Sequence, residues 1–418
     1  MTQPAMPIPD INSARLDRML QELGRIGETS QGMQRLAFSP ADVQGREYTI
    51  ALMRQAGLST RVDAAGNIVG RQAGAAPGLP AIALGSHIDT VPNGGKYDGA
   101  LGVMGAIEVV HTLEDRQISL RHPVEVLVFT NEEGTHFHRW LLGSRAMAGL
   151  LEPADRSAVD DEGVSLATRL ASVGGDLAHI DQARRSPGEL AAYLELHIEQ
   201  GPVLHHSGTP LGVVTGITGR WVFAVEITGR ANHAGTTPMP ARRDALVGAA
   251  RLTLAVDRIA RDLEVCRVGT VGHMRVEPNA VNVVPGHVRL GVEFRDERME
   301  SLVAAEVELR RVAAEIAAAG GVGISIQQVE ATPPVPIPAR MQELVAEAAE
   351  ACGLAHLRLP SGAGHDAQAL AAITRPAMIF VPSRDGVSHA PDEYSSPEDC
   401  ANGANALLRL LLLADERL

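Results

Sequence analysis

Four short apolar runs, "AIAL", "VEVLVF", "AAYLELHI" and "AMIFV", constrain the fold of this chain more than any other feature. Each is bounded by polar residues and too short for a self-burying helix, so each reads as a β-strand covered on both faces. Segments of helical periodicity alternate with them: Asn12 to Ile26, Pro40 to Ala56, Leu101 to Glu114, Ala339 to Cys352, and a last helix through Leu413. Strands alternating with helices predict an α/β domain with helices on both sides of a sheet.

Between about Gly212 and Ala331 the rhythm changes. "RWVFAVEITG" sets Phe223, Val225 and Ile227 against Ala224, Glu226 and Thr228, the alternation of a strand with one wet face. "RVGTVGHMRV", "HVRLGVEFRD" and "VGISIQQVE" read as further strands, and Arg242 to Leu263 and Met299 to Ala319 as helices. The order β-α-β-β-α-β is the split βαβ pattern of a small open-faced sandwich. Inserted into a larger α/β domain, it predicts a cleft where a ligand binds.

Charge limits the partners. Lys and Arg number 37 against 50 Asp and Glu, a formal charge of −13, which argues against nucleic acid or an anionic membrane surface. Cys266, Cys352 and Cys400 are odd in number and far apart, which indicates neither a disulfide framework nor a thiolate zinc site and suits a reducing cytoplasm. The opening residues lack the basic and apolar regions of a secretory signal, and no apolar run reaches about 18 residues, so neither export nor a membrane span is expected. The stretch before Asn12 reads as a frayed lead into a helix capped by Ser13.

The apolar runs finish in groups that resist burial. "AIALGSHID" ends in His87 and Asp89, which share a face of an extended segment, so Asp89 can take the proton of the imidazole nitrogen not used for binding. Asp98 follows the Asn93-Gly94-Gly95 turn. "PVEVLVFTNEEGT" ends in Glu132 and Glu133, whose side chains project to opposite sides, one suited to a cation and its neighbour to a base. His197 sits within the third run and His389 just after the fourth, in "VPSRDGVSHAPDEYS". Singly, each has an ordinary reading as a polar pair, a solvated loop or a satisfied core histidine. Together they form a mixed nitrogen and oxygen set for two divalent cations with Asp98 bridging, suited to Zn, Mn, Co or Ni. Such a pair generates hydroxide at neutral pH and polarises a carbonyl.

Read end to end, "GSHIDTVPNGGKYDG", "NEEG", "LLGSRAMAG", "ELHIEQGPVL", "GRANHAGTTPM", "PNAVNVVPG", "GAGHDAQ" and "SHAPDEYS" resemble the amidase, hydantoinase/carbamoylase family, a branch of the dinuclear-metal aminoacylase and carboxypeptidase clan. The resemblance covers essentially the whole chain. It implies a mixed-sheet, exopeptidase-like α/β catalytic domain over residues 1–211 and 332–418, with a ferredoxin-like lid and dimerisation domain, 212–331, inserted. It implies His87, Asp98, Glu133, His197 and His389 as ligands of two metal ions, zinc or manganese foremost, with Asp89 behind His87 and Glu132 as general base. His233 and Asn282 become hydrogen-bond donors to the oxyanion and substrate, in their own or a partner subunit's site. Arg295 becomes the clamp on a substrate carboxylate, Gln200 a contact to the carbamoyl or amide end, and Gly364 part of the pocket backbone.

The activity this implies is hydrolysis of the ureido C–N bond of N-carbamoyl-L-amino acids by a homodimer. Allantoate is the nearest alternative substrate, then N-carbamoyl-β-alanine (a β-ureidopropionase) and ureidoglycolate; a catalytically inactive dimeric binding protein is the remote one. One stretch departs from the pattern: "EEGTHFHRW" stands where relatives often have "EEGSRF", which predicts a bulky, cationic edge of His136, His138, Arg139 and Trp140 beside the base.

Overall fold

The computed structural model describes residues 10–418; the lead before Asn12 therefore falls, up to residue 9, outside the described residues. Two compact units divide the chain. One runs to Thr215 and resumes at Ile337, and the other is Gly216–Pro336.

In the first unit the four apolar runs form the middle of a mixed sheet, in the order Pro376–Val381, Leu190–Ile198, Ala81–His87, Val124–Phe129, every neighbouring pair parallel. All residues of Ala81–His87, Val124–Phe129 and Pro376–Val381 are buried, as continuous apolar strands require. Parallel strands bring their C-terminal ends to one edge, so the loops after His87, Phe129, Ile198 and Val381 gather there. The helices Ala100–Asp115 and Pro397–Arg417 pack on these strands.

Antiparallel strands flank this centre, Ile68–Gln72 and then Ser59–Val62 beyond Val124–Phe129, and Leu211–Ile217 next to Pro376–Val381; His356–Ser361 pairs with Leu211–Ile217. Sequence reading passed over these four. Ser59–Val62 only alternates exposed and half-buried positions, and His356–Ser361 buries only Leu359 and Ser361, so neither carries the signal of a core strand. The first helix, Ser13–Leu23, is capped by Asn12 and not by Ser13: Asn12 is the last extended residue, and its side chain accepts from the Arg15 N–H.

The second unit has the expected β-α-β-β-α-β order, folded as an antiparallel sheet of Val268–Glu277, His287–Asp296, Gly219–Thr228 and Gly323–Thr332 in that spatial order. One face, with Phe223, Val225, Ile227, Leu290 and Phe294, packs on the helices Ala245–Arg261 and Met299–Gly320 through Leu252, Val256, Leu302 and Leu309. The other face leaves Ala224, Glu226 and Thr228 exposed. A two-stranded ribbon, Asn232–His233 against Val283–Val284, was too short to be foreseen. No helix among the described residues is long and apolar enough to cross a membrane.

Candidate metal centre

The loops at the C-terminal edge of the parallel strands deliver three imidazoles and three carboxylates to one place. His87 Nδ1 lies 3.0 Å from the Asp89 carbonyl oxygen and His197 Nδ1 lies 2.9 Å from the Ile198 carbonyl oxygen. A carbonyl can only accept, so each ring is protonated at Nδ1 and turns its Nε2 inward, the atom left to bind a cation when the ring is neutral. Both Nε2 atoms face Asp98 Oδ1, at 3.6 Å for His87 and 3.2 Å for His197. Asp98 Oδ2 faces the other way, 3.2 Å from His389 Nε2, and His389 Nε2 is 3.5 Å from Glu133 Oε1. Glu132 Oε2 lies 3.5 Å from His87 Nε2.

Asp98 therefore stands between two donor groups, His87 with His197 and His389 with Glu133, each compact enough that its ligand atoms lie within 4.8 Å of one another. The backbone is shaped to this cluster. Gly99 has φ 62°, and a Cβ there would come within 2.5 Å of the His87 ring. Asn131, Gln200 and His389 also take left-handed conformations, at φ 53°, 57° and 56°. Strained backbone concentrated beside convergent ionisable groups is a mark of a functional site.

Electrostatics favour a cation here. Burial would lower the His87 pKa, but Glu132 and Asp98 outweigh it and hold it well above the usual range. Burial would raise Asp98, yet hydrogen bonds from His197, His389 and His87 hold it well below the carboxylate range. Burial pushes Glu132 well above that range and Glu133 up to about 7. His389 rises to about 9, chiefly through its hydrogen bond to Asp98. Without a cation such a cluster must retain protons, and a divalent ion takes their place. Neutral imidazoles and carboxylates are the donors that Zn(II) and Mn(II) accept, so the residues fit the group.

Asp89 has a different task from the expected one. Its carbonyl, not its carboxylate, orients His87; the carboxylate stands 3.8 Å from Nδ1 and instead accepts from the backbone N–H groups of Glu132 and Glu133, both at 3.2 Å. The carboxylate thus fixes the loop that presents both glutamates.

Gln200 lies on the cluster itself, its amide nitrogen 2.7 Å from Asp98 Oδ2 and 3.4 Å from His389 Nε2. Gly364 supports the Trp140 indole, into which any Cβ at that position would run. The anticipated cationic edge is neutralised: Arg139 pairs with Asp155 at 3.2 Å, His136 lies 3.7 Å from Asp160, and exposed His138 lies 3.4 Å from Asp161. What the departing loop adds is the indole, set against the Gly364 backbone.

Within the second unit, His233 and Asn282 are neighbours: His233 pairs with Val283 in the short ribbon, and the Ala234 N–H donates to the Asn282 carbonyl. His233 Nδ1 accepts from the N–H groups of Gly235 at 3.0 Å and Thr236 at 3.2 Å, which puts the ring proton on Nε2. Arg295 lies on the open face of the sheet, its Nε donating to Glu293 Oε1 at 2.8 Å.

Four further groups surround the cluster; sequence reading placed the backbone near His365 at the pocket and noted Glu195 only as a neighbour of His197, and it gave none of the four side chains a role. His365 stacks edge-on against His197 at 4.5 Å between ring centroids and meets Ser361 Oγ at 2.7 Å. Glu195 accepts from Ser86 Oγ and the Ala367 N–H. Asp366 is wholly buried with neither oxygen in a hydrogen bond of normal length, and burial together with Glu195 holds its carboxyl well above the usual range. Glu393 accepts from the N–H groups of Tyr97 and Asp98. The proximity of "GHD" and "HAPDE" to identified ligand motifs was the available signal.

Residues 83–413 match peptidase family M20/M25/M40. An N-carbamoyl-L-amino-acid amidohydrolase of Paenarthrobacter aurescens is 40% identical over 413 residues, covering 98% of this chain and 100% of that protein. A ureidoglycolate hydrolase of Arabidopsis thaliana is 38% identical, covering 95% of this chain and 85% of that one. Among solved structures, an amidase of the hydantoinase/carbamoylase family from Burkholderia multivorans superposes with a TM-score of 0.88 at 38% identity, over 97% of this chain and 98% of its own.

Proposed function

Because this chain belongs to peptidase family M20/M25/M40 and, within it, to the hydantoinase/carbamoylase amidases, we propose that it hydrolyses the ureido C–N bond of N-carbamoyl-L-amino acids to the L-amino acid, ammonia and carbon dioxide. The family is metal-dependent. The observation that carries the reading is the division of Asp98, Oδ1 toward His87 and His197 and Oδ2 toward His389, with Glu133 beside it. These five residues would hold two divalent ions, zinc or manganese foremost, cobalt and nickel being chemically suited as well. Bound there, the ions supply Lewis acidity toward the carbonyl and acidify water.

The chain's own residues do the rest. Glu132, kept readily protonated by burial, takes a proton from the attacking water and hands it to the leaving nitrogen. Asp89 holds that glutamate's backbone while it does so. His233, with its proton on Nε2, and Asn282 donate to the developing oxyanion, each preorganised donor contributing roughly 3 to 4 kcal/mol to the transition state. Arg295 grips the substrate carboxylate with a planar fork that lysine cannot match. Gln200 and the backbone at Gly364 flank the ureido end.

His233, Asn282 and Arg295 belong to the inserted unit, which we assign as a lid and as the dimerisation domain of a homodimer. The edge strand Val268–Glu277 and the exposed Leu254 and Val307 support that second role. Three free cysteines, two of them buried, suit a reducing, cytoplasmic setting. Allantoate and ureidoglycolate carry the same carboxylate and ureido groups, and the plant ureidoglycolate hydrolase keeps that substrate in view as a second reading.

The test is ammonia release by metal-loaded protein from N-carbamoyl-L-amino acids, their D forms, N-carbamoyl-β-alanine, allantoate and ureidoglycolate. Turnover led by the carbamoyl-L-amino acids is expected. Preference for allantoate or ureidoglycolate would reassign the substrate, and silence across the panel with two ions bound would reject the reaction.

A further inference from the structure

Glu393 follows His389 by four residues, in "SHAPDEYS", and only 5% of it is exposed. Its Oε1 accepts from the backbone N–H groups of Tyr97 at 2.9 Å and Asp98 at 3.1 Å. Its Oε2 is 2.8 Å from Ser388 Oγ, and that same hydroxyl is 2.9 Å from Asp98 Oδ2. One carboxyl therefore ties Asp98 by its backbone, and through Ser388 by its side chain, to the loop that carries His389. Gly95 makes room for the tie, since a Cβ there would overlap the Glu393 carboxyl.

The two halves of the cluster are supported differently. His87 ends a fully buried strand and His197 lies within another, so their positions follow from the sheet. His389 sits in the loop between Pro376–Val381 and Pro397–Arg417, at φ 56°, with 47% of its side chain exposed. Loops of this kind move unless they are pinned. The Arg384 N–H to Tyr394 carbonyl bond and the Ser395 Oγ to Pro382 carbonyl bond close the base of the loop, and neither reaches Asp98. Glu393 and Ser388 thus support the 3.2 Å approach of His389 Nε2 to Asp98 Oδ2 from within the loop, and the Gln200 amide, 2.7 Å from Asp98 Oδ2 and 3.4 Å from His389 Nε2, supports it from outside.

We propose that Glu393 is a positioning residue for the His389 half of the centre alone, fixing the distance from Asp98 to His389 so that one of the two cations, and not the other, depends on it. The proposal rests on the reading of Asp98 as a bridge. The experiment titrates the metal-stripped full chain with cobalt(II), following bound metal per chain and the visible cobalt spectrum, for wild type, E393A, E393Q and S388A. Wild type should take two equivalents. E393A should keep one equivalent with unchanged affinity and bind the other at least tenfold more weakly, the range seen when groups that orient metal ligands are removed. E393Q should recover most of the loss, because the amide oxygen still accepts from the Tyr97 and Asp98 N–H groups. S388A, which leaves Glu393 in place, should weaken the same equivalent several-fold and carries the test if E393A melts early. Two unweakened equivalents in both E393A and S388A, or equal loss of both equivalents in folded protein, would overturn the proposal while leaving the bridge intact. A single equivalent in wild type would overturn the bridge and the proposal with it.

Discussion

Replacing Gly99 with alanine probes whether the backbone is shaped around the His87 ring for metal binding. The added methyl would sit within 2.5 Å of the ring, about 1 Å inside ordinary van der Waals contact. The imidazole has little freedom to yield, being 2% exposed and held by its Nδ1 on the Asp89 carbonyl at 3.0 Å. A shift of that size turns Nε2 away from Asp98, and disturbing the groups that aim a metal ligand costs about 10- to 100-fold in affinity, or about 1.4 to 2.7 kcal/mol. Alanine at φ 62° and ψ −45°, outside the left-handed helical well, is also strained with or without metal. Gly163 controls for positive φ: it has φ 79° and nothing within 4 Å of a built Cβ, so G163A places alanine at a positive φ without the contact. Calorimetric titration of the metal-stripped proteins with manganese should show G163A binding like wild type and G99A at least tenfold weaker. Thermal melting without metal should show both variants lowered. Undiminished binding of both ions by G99A would refute the reasoning.

Other substitutions separate the remaining roles. E132Q should lower turnover by about 10²- to 10⁴-fold while two metals stay bound; loss of metal would make Glu132 a ligand and not the base. H233A should cost more than tenfold in turnover at unchanged metal content, whereas parallel loss of metal and activity would show its role misassigned. R295K should raise KM for carboxylate substrates far more than it lowers kcat, and an unchanged KM would remove the clamp. Chelation should lower the melting temperature of the first unit reversibly, since ligand at a hundredfold its Kd contributes about 2.7 kcal/mol; identical melts with and without metal would contradict a centre coupled to the fold.

The sequence revealed what was buried and convergent. Ala81–His87, Val124–Phe129, Leu190–Ile198 and Pro376–Val381 announced themselves as unbroken apolar runs, and because parallel strands share an edge, their polar ends had to meet. The alternation of Phe223, Val225 and Ile227 likewise marked the one-sided sheet of the inserted unit. Edge strands such as Ser59–Val62 stayed hidden because half-exposed residues carry no periodic signal. Asp89 shows a different limit: an HxD spacing puts the two residues on one face, but only the turn after the strand decides whether carbonyl or carboxylate meets the ring. Glu393 was passed over because its partners, Tyr97 and Asp98, lie almost three hundred residues away. His136 and Arg139 read as exposed cations because the acids that match them, Asp160 and Asp155, come later in the chain.

Anomalous diffraction from crystals grown with manganese or zinc tests the central claim most directly. Two peaks are expected astride Asp98, one by Oδ1 with His87 and His197 and one by Oδ2 with His389 and Glu133. A single peak, or a pair that leaves Asp98 unshared, would contradict the two-ion centre on which the proposed hydrolysis depends.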